Sequence, residues 1–450
     1  MFVFPLLTRN VITVFHSNNI QKSLFISVLR PAYLLNPINP YKLKAIGLFM
    51  RIAVVSDLHL GFQFGTERGE DAFRNASEAF AKAVEEKVDL ILIPGDIFHD
   101  KVPRPEVMSR SIDLFKMFSV LPTIKITNTQ SHGKEESVTK EIPAVVTIYG
   151  THEKRNPGRV NPIQLLEKAG LLTHLHAESI VVEVGKERIG LHGLSGVPDQ
   201  FAKQALEAWA PKPFPQVLNL FMIHQTFREL IPDVKQDVVS YANLPTGFNL
   251  YILGHVHWRV EDKHPFTDAP IIVPGSTIRT QLRKIEADRK KGLYILDFTS
   301  KKLDIKFVEL QSVRDFYYEA LNVTGKKPSE ILGDAHSKIA QILTNNIKQI
   351  KPIIRFKLKG TLAEGFLPAD LNFNPLKKKF AGSLLYFDRT KVESSQLSER
   401  AKLLYDLKQK KVSIEEIGMK LLLENMKITD PLEAKRVHEM FEQLVEGTYD

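Results

Sequence analysis

Five short apolar stretches of this chain run directly into Asp and His residues, and that placement restricts its possible folds more than any other feature. Asp57 and His59 follow residues 52–55 in Ser56-Asp-Leu-His. Asp96 and His99 follow residues 89–93 in Pro94-Gly-Asp-Ile-Phe-His, and His152 and Glu153 follow residues 144–149 in Gly150-Thr-His-Glu. His224 closes residues 217–223, and His255 and His257 follow residues 249–253 in Gly254-His-Val-His. Short apolar runs bounded in this way read as buried strands. In an open α/β sheet the carboxyl ends of the strands form the edge where sites are built. A single His beside an apolar strand is ordinarily a satisfied core or surface residue. Five strand ends that all deliver imidazoles and carboxylates make coincidence a poor account. Asp-x-His and His-x-His spacings also send both side chains to one side of an extended chain. Gly95, Gly150 and Gly254 supply the tight turns that bring each group in.

The chain has 450 residues and no cysteine. Disulfides, thiolate nucleophiles and Cys-based metal sites are therefore excluded, which fits an intracellular protein. Any metal must be held by nitrogen and oxygen donors, a set that suits Mn, Fe, Zn or Mg. The net charge of +9 is unevenly placed: residues 1–49 contain Arg9, Lys22, Arg30, Lys42 and Lys44 and no acid, and without them the excess is +4. That leader is rich in Asn, Pro and aromatic residues and shows no sustained period. Its apolar run at 24–28 is broken by Arg30 and Pro31, so a spanning helix is not expected there. It reads as a transit peptide or as an upstream start, and the second reading is preferred because Met50 is followed at once by a strand. Residues 1–49 are thus expected to lie outside the fold.

From residue 50 the pattern is α/β. Residues 71–87 place Ala72, Phe73, Ala76, Phe80, Ala83 and Val84 on one helical face, and further strands are expected at 181–184, 188–191, Pro270–Val273 and 292–297. The expected architecture is a β-sandwich flanked by helices over residues 50–309. The polar stretch 125–142 reads as a loop insertion. Residues 310–390 read as a small α+β domain, with a helix over Pro328–Asn345 and a strand that alternates Ile354, Phe356 and Leu358 with Arg355, Lys357 and Lys359. Residues 391–450 read as helical.

Asp57-Leu-His59, Gly95-Asp96, Gly150-Thr-His-Glu153, His224 and Gly254-His-Val-His257 together resemble the five-part signature of the calcineurin-like metallophosphoesterases. The resemblance implies that Asp57, His59 and His257 hold one metal, that His224 and His255 hold a second, and that Asp96 bridges them. It implies that His152 is not a ligand but contacts the scissile phosphate and protonates the leaving group. The family places Asn before that histidine as a donor to the second metal. Here Thr151 stands at that position, so the second metal is expected to be the looser of the two.

The metal signature does not separate a nuclease from a phosphatase or a small-molecule phosphodiesterase. Gly95-Asp-Ile-Phe-His-Asp-Lys-Val-Pro-Arg-Pro105 resembles the second motif of the double-strand-break repair nucleases of the SbcD and meiotic-recombination type, in which a histidine at the position of His99 assists at the phosphate. Those nucleases carry a small capping domain after the catalytic one. Residues 311–380 hold 12 Lys/Arg against 6 Asp/Glu, including Lys377 to Lys379, an excess that suits a phosphate backbone. Arg355, Lys357 and Lys359 as an ordinary solvated sheet face is the open alternative. Ser413-Ile-Glu-Glu416 and Asp430-Pro-Leu-Glu433 each open an amphipathic helix, one striped by Ile414, Ile417, Leu421 and Leu422, the other by Val437, Phe441, Leu444 and Val445. In the archaeal-type members, which residues 51–450 resemble in layout, such helices clasp the coiled coil of an ABC-type ATPase. The resemblance implies a Mn-dependent DNA exo- and endonuclease with two Mn2+ per chain, homodimeric, ATPase-bound, without a membrane and located with DNA inside the cell. A general metallophosphatase and a non-catalytic scaffold for the ATPase stay open.

Overall fold

The computed structural model describes residues 50–131, 134–156, 158–231, 237–299, 302–394 and 414–446. The leader 1–49 lies outside the described residues, as does Ser413.

Two sheets make up the larger part. The first has six strands in the order β14 (Lys302–Glu309), β13 (Gly292–Thr299), β1 (Met50–Val54), β2 (Leu90–Pro94), β5 (Val145–Ile148) and β6 (Thr173–His174). The second has eight, in the order β11 (Val260–Lys263), β12 (Pro270–Val273), β10 (Leu250–Gly254), β9 (Leu218–His224), β8 (Glu187–Leu194), β7 (Glu178–Val184), β3 (Ile124–Ser131) and β4 (Lys134–Ile142). β1, β2, β5 and β6 run parallel, as do β8, β9, β10 and β12. β2 and β5 face β8, β9 and β10 across the sandwich. Their side chains are nearly all buried, the continuous apolar pattern that parallel strands covered on both faces require. The expected β-sandwich is therefore present, and the parallel strands of both sheets end at one common edge.

Helix α1 (Gly69–Glu85) follows β1 and buries Ala72, Phe73, Ala76, Phe80 and Ala83 at helical spacing, with Glu70 and Asp71 favourably placed at its positive amino end. Phe80 packs on Phe115 and Phe118 from α2 (Pro105–Phe115) and the turn after it, with centroids 5.4 and 4.4 Å apart. The remaining helices of this part are α3 (Pro162–Lys168), α4 (Asp199–Trp209) and the single turn α5 (Lys284–Ala287).

The stretch expected as a loop insertion, 125–142, is instead the β3–β4 hairpin at the outer edge of the eight-stranded sheet. It is polar because β4 has no further strand beside it and most of its side chains are exposed. Ile124, Ile126 and Ile142 bury its inner end. The β-branched content of Ile124, Ile126, Thr127, Thr129, Val138 and Thr139 carried the strand signal.

The small domain has three parallel strands, β15 (Phe316–Asn322), β16 (Ile353–Thr361) and β17 (Leu384–Glu393), linked by α6 (Pro328–Asn345) and α7 (Asn374–Lys379). Pro328 stands at the first turn of α6, and Glu330 accepts the Lys327 backbone N–H at 2.7 Å. Ile354, Phe356 and Leu358 are fully buried against α6, as their alternation requires. On the opposite face Arg355 and Lys357 both pair with Asp388 of β17, each at 2.7 Å.

One arginine ties the two parts together. Arg314 donates from Nε to both Asp71 oxygens at 2.8 Å, and from its terminal nitrogens to the carbonyls of Lys351 and Glu67 at 2.9 and 3.2 Å. Glu78 of the same helix accepts the backbone N–H groups of Gln311 and Ser312 at 2.8 and 2.7 Å. Helices α8 (Ile414–Asn425) and α9 (Pro431–Glu446) pack on each other, and Asp430 caps the second through the Leu432 N–H at 3.0 Å.

Candidate metal centre

The common edge of the two sheets gathers every residue singled out at the five strand ends. Past β1 and β2 the chains stay hydrogen-bonded, Asp57 N–H to Gly95 O at 3.2 Å and His59 N–H to Asp96 O at 3.0 Å, so the first two motifs form one rigid ridge. Asp57, His59, Asp96 and His255 have φ of 50°, 47°, 50° and 86°. Each non-glycine residue in that left-handed region costs about 1–3 kcal/mol, and such strain gathers at functional sites. Of the three glycines read as turns, Gly95 has a φ of 97°, whereas Gly150 and Gly254 are needed for close approach. A Cβ on Gly150 would strike the Asp96 carboxylate, and one on Gly254 would strike the Pro94 carbonyl.

Three donor groups result, each with possible ligand atoms within 4.8 Å of one another: Asp57, His59 and His257; Asp96, His224 and His255; and His59, His99 and His152. In the first, the Nε2 atoms of His59 and His257 stand 3.0 Å apart and Asp57 Oδ1 lies 3.8 Å from His257 Nε2. In the second, His224 Nδ1–H donates to the Pro94 carbonyl at 2.8 Å, leaving Nε2 facing Asp96 Oδ2 at 3.3 Å. Those two facing atoms are fully buried and have no hydrogen-bond partner, the state expected of atoms that await a cation. Thr280 fixes His257 through Nδ1 at 2.6 Å, and Asp57 accepts the His255 N–H at 3.2 Å.

Burial sets the protonation states. It drives His59 down to about 3, His255 down to about 4 and His257 well below the ordinary imidazole range, so all three offer a neutral lone pair. Burial opposes ionisation of Asp96 too, but the facing His224 outweighs it and holds the carboxyl below its usual range. His224 responds in the opposite sense: burial disfavours its charge, yet Asp96 raises it to about 9. Burial, with Asp96 close by, pushes Asp57 up to about 7. The ionised Asp96 carboxylate and the neutral imidazoles of His59, His255 and His257 form a nitrogen–oxygen donor set that fits divalent cations.

His152 sits at the mouth. Its backbone N–H donates to Asp96 Oδ1 at 3.0 Å, and Nδ1–H donates to the His99 carbonyl at 2.6 Å. Since a carbonyl only accepts, the proton is on Nδ1 and Nε2 is left for a ligand. His99 stacks on His152 with centroids 4.9 Å apart and reaches His59 at 3.4 Å between Nδ1 atoms. Thr151 is half-buried in the same turn, and its hydroxyl makes no hydrogen bond among the described residues.

Sequence reasoning gave no role to three residues that hold this geometry. Glu153 is fully buried and accepts the Phe98 and Gly150 N–H groups, each at 2.7 Å, which clamps the second motif to the third. Thr280 and Lys291 are the others; Lys291 is buried, salt-bridged to Glu286 at 2.8 Å, and donates to the His257 carbonyl at 2.6 Å. Thr280 and Lys291 lie 23 and 34 residues beyond His257, with no spacing that links them to it.

Residues 50–259 match the family of calcineurin-like phosphoesterases. Among curated proteins, the double-strand break repair protein MRE11 of Encephalitozoon cuniculi is 28% identical over 338 residues, 69% of this chain and 58% of that protein. The DNA double-strand break repair protein Mre11 of Methanopyrus kandleri is 28% identical over 303 residues, 63% of this chain and 61% of that one. The human protein MRE11 is 26% identical over 326 residues, 65% of this chain and 45% of its own length. This chain thus spans less than two thirds of each of these relatives. The match to the calcineurin-like phosphoesterases spans residues 50–259, which include Asp57, His59, Asp96, His224, His255 and His257.

Proposed function

We propose that the chain is a metal-dependent DNA exo- and endonuclease of double-strand-break repair. One observation carries the chemistry: in the donor group of Asp96, His224 and His255, the buried Asp96 Oδ2 and His224 Nε2 face each other with no hydrogen-bond partner. Asp57, His59 and His257 would hold one cation and His224 and His255 the other, with Asp96 as the carboxylate shared by both. Two such ions, Mn2+ in this proposal, supply an activated water and a clamp on the phosphate. Thr151 replaces an amide donor with a shorter hydroxyl, so the second ion is the weaker one. His152, held by the His99 carbonyl through Nδ1–H, presents Nε2 to the leaving oxygen; in the imidazolium form Nε2 also carries a proton, and that proton passes to the leaving oxygen. His99 braces that ring. The relatives, named as double-strand break repair proteins, support DNA as the substrate.

The small domain caps the site and contributes to DNA binding through Lys359 and Lys377 to Lys379, all exposed. Leu422, Met426, Leu432, Met440 and Phe441 are exposed on α8 and α9, which supports a partner-binding helical pair. The partner is the coiled coil of an ABC-type ATPase, in a homodimeric assembly placed with DNA inside the cell. Among the described residues no helix is long and apolar enough to cross a membrane.

The test is hydrolysis of labelled single-stranded and hairpin DNA against a phosphomonoester, with Mn2+ and then Mg2+. Cleavage of DNA with Mn2+ is expected. A clear preference for the phosphomonoester would establish the general phosphatase instead, and bound metal without hydrolysis of either substrate would favour the scaffold.

A further inference from the structure

Beside the metal pocket three rings form a step that the centre itself does not use. Tyr149 directly precedes Gly150 and stacks on His174 with centroids 5.2 Å apart and 25° between planes. His176 lies 5.2 Å from the same tyrosine and runs within 11° of His174. Ser195 pins two of the three: its Oγ accepts the Tyr149 N–H at 3.1 Å and meets His174 Nε2 at 3.2 Å. β5 and β6, paired Thr147 to His174, fix the spacing from below. Tyr149 and His174 are half-buried, while His176 is exposed.

Stacked rings are more often packing than a site, but two neighbours argue otherwise here. Tyr149 stands three residues before His152, so the step lies within roughly 11 Å of chain from the proposed proton donor, at 3.8 Å per residue. Lys154, in the same loop, makes no hydrogen bond or ion pair among the described residues. Burial and Lys101 both lower its proton affinity, and Lys154 in turn helps burial to lower that of His176. Two uncommitted lysines and an exposed imidazole therefore share one surface beside the pocket.

We propose that Tyr149, His174 and His176 stack an unpaired nucleobase next to the phosphate being cleaved, with Lys154 on an adjacent phosphate. This rests on the reading of the centre as a nuclease and specifies its substrate: a single strand, or a duplex end opened at that nucleotide. A base inside a duplex has both faces covered, whereas a freed base can stack on Tyr or His. Every base has a π-face, so the step is tolerant of sequence.

The experiment compares binding of a labelled thymine strand and an abasic strand of equal length and charge to the full chain without added metal, by fluorescence anisotropy. The chain should prefer the thymine strand by about tenfold, within the range for one base on an aromatic ring. His176→Ala should abolish that preference and His176→Phe should keep it. Lys154→Gln should weaken both strands alike and lower the salt slope by about 0.7. Equal affinity of the unmutated chain for the two strands, or a preference that survives in His176→Ala, would overturn the proposal. Preference for the thymine strand without cleavage of any strand once Mn2+ is added would keep the step and remove the nuclease reading.

Discussion

The carboxyl edge of the two sheets and the outer face of β16 are both dense in ionisable groups, and they treat them in opposite ways. On β16, Arg355 and Lys357 are drawn onto one carboxylate, Asp388, and Arg355 also donates to the Leu282 carbonyl at 3.0 Å. Thr390 adds a further bond to Asp388, which these partners hold well below the usual carboxylate range although burial works against ionisation. Along the edge, Asp96 Oδ2 and His224 Nε2 face each other without hydrogen-bond partners, and Asp57, His59, Asp96 and His255 are held in strained backbone. The loops beside them carry Lys101, Arg104, Lys154, Arg155 and Arg159, whose side chains make no ion pair among the described residues. A basic residue in the sequence is thus a different object in the two places. On the sheet face its charge is already spent on structure; at the edge it is open to a phosphate.

The contrast is sharpest between two isosteric changes. Asp96→Asn should lose both metals and lower hydrolysis by at least about 10³-fold, on the scale of removing metal-based catalysis. The melting temperature of the metal-free protein should fall at neutral pH, because Asp96 keeps its charge against burial through His224, which the amide would leave as a buried cation without its counter-ion. An unchanged melting temperature would mean that the two groups do not support each other in the fold. His152→Gln should lower cleavage by about 10²–10⁴-fold while metal content by elemental analysis stays the same. If metal were lost as well, His152 would be a ligand.

A smaller effect compares the cations directly. Lys101→Ala with Lys154→Ala should lower the slope of log affinity against log salt by about 1.4 for single-stranded DNA, the share of two phosphate contacts. Arg355→Ala with Lys357→Ala should change that slope little; an equal fall in both pairs would erase the distinction. Smallest of all, Asp388→Asn should destabilise by about 1 kcal/mol in denaturant melts, as loss of a partly exposed ion pair does. By releasing two cations, it should tighten DNA binding slightly.

The residues gathered at the edge were legible because each stands at the end of an apolar strand, and all but His224 lie within a few residues of a glycine, so local pattern and spatial cluster coincide. What escaped reading lies where groups distant in sequence meet. Nothing near Arg355 or Lys357 announces Asp388, and nothing near His257 announces Thr280 or Lys291. Glu153 was visible as part of a motif, but its work is to hold two loops together by their backbones, which no side-chain pattern encodes. The stretch 125–142 reads as a loop from its polarity, yet its β-branched residues make strands, because an edge hairpin needs only one buried end.

The seam at Arg314 bears on how such a chain can be divided. Residue 309 ends a strand and looks like a natural place to cut. Yet Asp71 and Glu78 sit on one helix, and with Glu67 just before it they find cations and amides beyond that point: Arg314, the Gln311 and Ser312 N–H groups, and Lys351, which reaches Glu67 at 2.9 Å. A fragment ending at 309 would keep the acids and lose those partners, leaving Arg74 and Arg68 against Asp71 and Lys82 against Glu78. α1 also leaves from the first metal motif, so damage at the seam would travel towards the ridge that carries Asp57 and His59. The phosphoesterase part of this protein is a continuous stretch of sequence, but it is not a transferable module: its first helix is finished by residues that belong to its neighbour.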